Sequence, residues 1–190
     1  MSQSKRLTEV SKYMSWALRH KPEEAGIVLD ANGWTDVYLL VDAHNKRAQV
    51  GKEITTLEVL EVVRTCEKQR YAVSPDMRRI RANQGHSIAV DVELVEQTPP
   101  DVLYHGTAER FYEAIQRQGI DKMKRQHVHL SADVQTAMRV GARHGVLRLL
   151  KIDAQRMHAD GVKFWISANG VWLVDHVDPK YLFKAVRENA

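Results

Sequence analysis

Two stretches of this 190-residue chain gather hydrogen-bond donors where a small protein ordinarily buries apolar residues. Residues 80–87 read IRANQGHS and set Arg81, Gln84, His86 and Ser87 around a glycine. Residues 124–131 read KRQHVHLS and add Arg125, His127, His129 and Ser131. Three shorter runs share this character: LRHKP with Arg19 and His20, KQRY with Arg70, and YHGT with His105, Gly106 and Thr107. Arginine presents a planar fork that matches phosphate, and a few such bonds in a sheltered site stabilise developing negative charge. A set rich in Arg, His and hydroxyls, without an obvious carboxylate pair, thiol or metal cluster, suits binding and transferring phosphate.

Each run also has a simpler structural account. Arg19 and His20 close a helical pattern, where cations complement the negative terminus. Arg78, Arg79 and Arg81 guard an exposed strand edge, with Arg79 and Arg81 on one face and Arg78 on the other. Turn chemistry covers Gly85 and Ser87 but leaves Gln84 and His86 unexplained. His127 and His129 share a strand face and could ligate a metal, yet no second spaced motif supplies further ligands. Gly106 permits a close backbone approach. There is no Walker loop, dinucleotide fingerprint or Gly-x-Ser-x-Gly elbow.

Positioning these residues requires ordered elements, and the pattern supplies them. Leu7, Val10, Met14 and Leu18 recur at helical spacing, predicting a helix over residues 4–20 that KPEEAG ends. GIVLDANGWTDV predicts a short strand and turn, followed by a helix carrying Val37, Leu40, Val41 and His44. Thr55 and Glu58 form a capping box for the next helix. QRYAV and RRIRA, joined by SPDM, make a hairpin. Three helices before a hairpin outline a winged helix. SIAVDVEL alternates at Ile88, Val90, Val92 and Leu94 and predicts another strand. The adjoining prolines of EQTPPDV mark a boundary between lobes over 1–96 and 97–190. Beyond it come a strand ending in LYHGT, a helix over 108–118 closed by Gly119, and a strand at HVHLS. A helix near 133–144, a strand VLRLLKI and a hairpin of FWIS and VWLV follow, the last turning at Asn169-Gly170. The fold class is α+β.

Composition bounds the rest. Hydrophobic residues make up 44% and charged residues 27%, ordinary for a globular protein. The net charge of +4 is spread evenly: 14 Lys+Arg against 13 Asp+Glu up to residue 95, then 14 against 11. A polyanionic partner is therefore expected to be held by a few placed arginines rather than a broad field. Cys66 stands alone, excluding an internal disulfide. With no apolar leader or membrane span in the pattern, a cytoplasmic monomer is expected.

The ordered motifs LRHKP, KQRY, IRANQGHS, PPDVLYHGT, KRQHVHLS, VGARHG and NGVWL together resemble the RNA 2′-phosphotransferase family of the KptA type, over nearly the whole chain. The resemblance implies a winged-helix RNA lobe followed by an ADP-ribosyltransferase-like, mixed β lobe that binds NAD. It implies removal of an internal RNA 2′-phosphate through a 2′-phospho-ADP-ribosylated RNA intermediate. The products would be 2′-OH RNA, nicotinamide and ADP-ribose 1″,2″-cyclic phosphate, as at tRNA splice junctions. The family's catalytic set falls on Arg19, His20, Arg70 and Arg125. NAD contacts fall on His105, Gly106, Thr107, His129, Ser131 and Arg143, and RNA contacts are expected at Arg81, Gln84, His86 and Ser87. No metal is implied. Val171 stands where protein-modifying ADP-ribosyltransferases place a glutamate, which argues against protein modification. The alternatives are an ADP-ribosyltransferase that caps RNA or DNA phosphate ends, and a winged-helix nucleic-acid-binding regulator.

Overall fold

A computed structural model describes residues 3–183, which mix helix and sheet as an α+β chain. Residues up to Glu93 make one compact unit and those from Leu94 a second.

The first unit contains α1 (Gln3–Arg19), α2 (Pro22–Ala25), β1 (Thr35–Asp36), α3 (Val37–Asn45), α4 (Thr56–Thr65), β2 (Tyr71–Val73) and β3 (Arg79–Ala82). Helix α1 buries Val10, Met14 and Leu18, the stripe its spacing dictates, against Leu40 of α3, Val59 of α4 and Ile80 of β3. Met14 and Leu18 are fully buried, and each such side chain contributes on the order of 2 kcal/mol. The Thr55–Glu58 capping box forms in both directions and starts α4. The three strands pair antiparallel in the order β1-β3-β2, with Thr35 opposite Ile80 and Tyr71 opposite Ala82.

Two expectations change here. The strand foreseen after Gly26 shrinks to Thr35–Asp36, because the Asp30 side chain accepts from the backbone of Asn32 and Trp34 and winds the chain into a turn. Residues 88–94 pair with no strand, although their burial alternates as the sequence suggests. Their backbone is satisfied locally instead: Asp91 N–H donates to the Ala31 carbonyl, and Asn32 Nδ2 donates to the Asp91 carbonyl. Glu93, at φ 56, then ends the extended run. Alternation reports which side chains are covered, not whether a ladder lies alongside.

The second unit contains β4 (Val95–Glu96), β5 (Val102–Ala108), α5 (Tyr112–Gln118), β6 (Ile120–Asp121), β7 (Val128–Leu130), α6 (Val134–Gly141), β8 (Leu147–Asp153), α7 (Ala154–Ala159), β9 (Trp165–Ile166), β10 (Trp172–Val174) and β11 (His176–Val177). Its longest ladder is the antiparallel β5–β8 pair, in register from Val102 opposite Asp153 to Ala108 opposite Leu147. A four-stranded sheet runs β4-β9-β10-β7, so Val95–Glu96 belongs with this unit. Leu103, Ile152, Met157, Phe164 and Val174 fill the core between these layers. The β9–β10 turn is a three-residue loop, not the expected two-residue one. Only Gly170 takes positive φ (76°), and Ser167 Oγ fixes the loop by meeting both Asn169 Oδ1 and the Val171 backbone. A two-residue type I′ turn needs positive φ at both central positions, which Asn169 does not adopt.

Candidate functional site

Helix α1 runs out at Arg19, leaving carbonyls without intrahelical partners. One is taken by the IRANQGHS segment: Ser87 N–H donates to the Arg19 carbonyl at 3.0 Å. The Ser87 hydroxyl lies 3.0 Å from His20 Nδ1, so one residue secures both members of the pair. The Arg19 guanidinium donates to the Arg70 carbonyl at 3.3 Å and sits 5.7 Å from the centre of the Tyr71 ring. Tyr71 is itself anchored to α1, its hydroxyl donating to the Ser11 carbonyl at 2.7 Å and lying 2.6 Å from Ser15 Oγ. Arg19 and His20 are thus secured at the end of α1, with the Arg19 side chain on the main chain of Arg70.

Arg70 is presented by an unusual backbone. Gln69 has φ 41, a left-handed value that costs a non-glycine residue about 1–3 kcal/mol. Its N–H donates to the Cys66 carbonyl at 2.7 Å, and its carbonyl accepts from Asn83 Nδ2 at 2.6 Å. Asn83 N–H in turn donates to the Arg70 carbonyl at 2.9 Å. The Arg70 guanidinium reaches Cys66 Sγ at 3.5 Å.

The residues expected to touch RNA divide differently. Arg81 lies 4.7 Å from the Trp34 ring centre and donates to Glu93 Oε2 at 2.8 Å and to the Asn32 carbonyl at 3.4 Å. Arg79 faces the same ring at 5.4 Å, as its strand parity requires. His86 is only 1% exposed. Burial, reinforced by the charges of Arg19, His20 and Arg81, pushes its pKa down to about 4. It is an interior imidazole, neutral at physiological pH. Gln84 is half-buried and Ser87 exposed.

In the second unit, the isolated bridge between Tyr104 and Ser131 sets β5 beside the end of β7. That register lets His105 Nδ1–H donate to the His129 carbonyl at 3.0 Å. A carbonyl only accepts, so the Nδ1 tautomer is fixed and Nε2 is left as an acceptor. Burial holds the His105 pKa below its usual value; the His129 carbonyl bond opposes this, and Arg125 and His144 add to it. Arg125 lies 2.9 Å from His129 Nδ1. A guanidinium only donates, so that nitrogen is unprotonated while the contact holds. Burial lowers the Arg125 pKa, yet arginine stays charged in proteins. His105, Arg125 and His129 therefore form one linked group.

The remaining expected residues lie around helix α6 and its neighbours. A Cβ on Gly106 would fall 1.8 Å from the Ala137 carbonyl oxygen, and one on Gly141 would fall 2.7 Å from the Gly106 carbonyl carbon. The close approach foreseen at Gly106 is therefore made by helix α6. Thr107 is buried on the same strand. The Ser131 hydroxyl exchanges hydrogen bonds with the Asp133 backbone just before α6, and Arg143 is exposed in a single 3-10 turn (Ala142–His144). His127 packs its ring 5.4 Å from Trp165. Among the described residues, no group of three or more His, Cys, Asp or Glu is placed to hold a metal ion, and no helix is long and apolar enough to cross a membrane.

Sequence reasoning passed over Asn83, Tyr71 and Gly141. Asn83 was visible as an amide closing a strand, where β-propensity is poor. Gly141 was visible as a glycine at the end of a helical pattern.

Each unit thus presents arginine and histidine side chains, the types that suit phosphate oxygens. The family model described as RNA 2′-phosphotransferase, Tpt1 / KptA family, matches residues 5–176, and the chain belongs to that family. It is 51% identical over 178 residues to the "Probable RNA 2'-phosphotransferase" of Hahella chejuensis (strain KCTC 2396), covering 94% of each chain. The protein of the same printed name from Rhodopirellula baltica (strain DSM 10527 / NCIMB 13988 / SH1) is 49% identical over 183 residues, covering 96% of this chain and 98% of its own. That of Escherichia coli (strain SE11) is 47% identical over 179 residues, covering 94% and 96%.

Proposed function

We propose that the chain is an NAD-dependent RNA 2′-phosphotransferase, with a winged-helix first unit that holds RNA and an ADP-ribosyltransferase-like second unit that holds NAD. The observation that carries this reading is the placing of Arg19 and His20 at the end of α1, with the Arg19 guanidinium on the Arg70 carbonyl. Family membership supplies the RNA 2′-phosphate as what such a group would grip. NAD is the co-substrate: it supplies the ribose carbon that takes the phosphate and the hydroxyl that later releases the RNA as 2′-OH. The second unit suits such a dinucleotide. The acceptor Nε2 of His105 fits a ribose hydroxyl, and the guanidinium of Arg125 fits a phosphate oxygen.

In this reading the phosphate arrives already ionised, so the protein contributes position more than a base. Arg19 and Arg70 orient the phosphate by charge-assisted hydrogen bonds, and His20 holds it and moves a proton at its oxygen during release. Arg125, its bearing set by His129, is assigned to a phosphate oxygen on the NAD side. His105, Gly106, Thr107 and Arg143 are assigned to the NAD side.

The test is incubation with NAD and an oligonucleotide bearing one internal 2′-phosphate. The expected products are nicotinamide, RNA with a free 2′-hydroxyl and ADP-ribose cyclic phosphate. Accumulation of ADP-ribosylated RNA without cyclic phosphate would favour the end-capping alternative, and intact NAD would refute both. Arg125→Ala is expected to lose ~10²–10³ in kcat, the scale for one preorganised donor.

A further inference from the structure

Behind the surface of the first unit lies a set of polar atoms that the protein itself does not satisfy. Both ring nitrogens of His86 are buried without a protein hydrogen-bond partner, as are Arg81 Nε, Asn83 Oδ1 and Gln84 Oε1. A neutral imidazole needs an acceptor for one nitrogen and a donor for the other. Leaving such groups unmade costs about 1–3 kcal/mol apiece, so a native interior does not leave so many together.

The unmet atoms belong to residues 81–86, and two of these residues meet the 32–34 turn. Arg81 donates to the Asn32 carbonyl and lies over Trp34. His86 Nε2 faces the residue between them, since a Cβ added to Gly33 would stand 3.7 Å from it. Asn83 follows β3 directly, and its other amide atom is committed to the Gln69 carbonyl.

The chemistry of the set selects its occupant. The segment carries two unmet donors (Arg81 Nε and one imidazole nitrogen) and three unmet acceptors (the other imidazole nitrogen and two amide oxygens). A phosphate would be repelled by the acceptors and a cation by Arg81. Water gives and receives hydrogen bonds equally and is small enough for an enclosed site. The depressed pKa of His86 keeps the ring neutral, and so both donor and acceptor, at physiological pH.

We infer that ordered water is bound between His86 and the Asn32–Trp34 turn, and that the hydrated imidazole is a positioning residue for the Arg19–His20 pair. The route of action is short. Ser87 follows His86 directly, and it is Ser87 whose N–H holds the Arg19 carbonyl and whose hydroxyl holds His20. A ring that is hydrogen-bonded rather than loosely packed fixes where Ser87 stands.

The kinetic half of this inference rests on the proposed phosphotransfer; the hydration half does not. A crystal structure of the full chain is expected to show solvent within hydrogen-bonding distance of both His86 nitrogens; a dry ring would overturn the site. His86→Leu, whose folding is checked by circular dichroism, is expected to lose at least tenfold in kcat with the KM for NAD within twofold. His86→Gln, which restores a polar atom near Nε2, is expected to recover most of the loss. Full activity in His86→Leu, or no recovery in His86→Gln, would overturn the positioning role. Solvent at His86 in a protein without phosphotransferase activity would sink the functional reading and leave the hydration site standing.

Discussion

In the first unit, Arg19, His20 and Arg70 are held by chain ends and single hydrogen bonds: a helix terminus, one serine and two main-chain carbonyls. In the second, His105 and His129 ride on neighbouring strands, and β5 is pressed so closely by α6 that two glycines are obligatory. The two designs fail differently. A fault among single hydrogen bonds displaces a side chain and leaves the core whole, whereas a fault in close backbone packing reaches the fold before it reaches the chemistry.

The comparison can be pressed hardest at Gly106. Gly106→Ala forces a methyl group into the Ala137 carbonyl, and overpacking of this kind costs about 3 kcal/mol or more. Thermal unfolding followed by circular dichroism should show a midpoint lower by about 10 °C. An unchanged midpoint would mean that α6 and β5 are not so tightly apposed.

Next in size is the response to acid. The folded-state pKa of His86, about 4, lies below the ordinary 6.5. The unfolded chain therefore binds the proton first as pH falls, and stability drops between roughly pH 6.5 and pH 4. The loss is on the order of 3 kcal/mol for this residue. His105 and His127, also held low mainly by burial, act with the same sign. Chemical denaturation across this range should show a shallower pH dependence in His86→Gln than in the parent protein.

Smaller again is Ser87→Ala. It removes one hydrogen bond to His20, worth about 1 kcal/mol, so kcat/KM for 2′-phosphorylated RNA should fall about fivefold with little change in melting. Smallest is Lys163→Ala, which breaks an exposed pair with Glu96 and should shift stability by less than about 0.5 kcal/mol.

The helices were legible because burial writes a period into the sequence: Val10, Met14 and Leu18 on α1, and the Thr55–Glu58 box on α4, appear as read. Residues 88–94 were misread as a strand for the same reason, since their alternation reflects covering by the 30–34 turn and carries no information about pairing. Within the candidate site, the motifs named candidate side chains but not their surroundings. Nothing local distinguishes His86, buried to 1% exposure, from the exposed Ser87 beside it. Likewise, YHGT does not show that the neighbour of Gly106 is a helix. Both depend on contacts from distant segments, namely Gly33 and Ala137.

The left-handed elbow at Gln69 has a practical corollary. Because the main chain is turned by ties from Cys66 and Asn83, the course of the backbone at position 70 is settled without help from whatever side chain stands there. Exchanging Arg70 for another residue therefore subtracts a guanidinium from an unmoved address. Exchanging Asn83 shifts the address along with its occupant, and the two experiments answer separate questions.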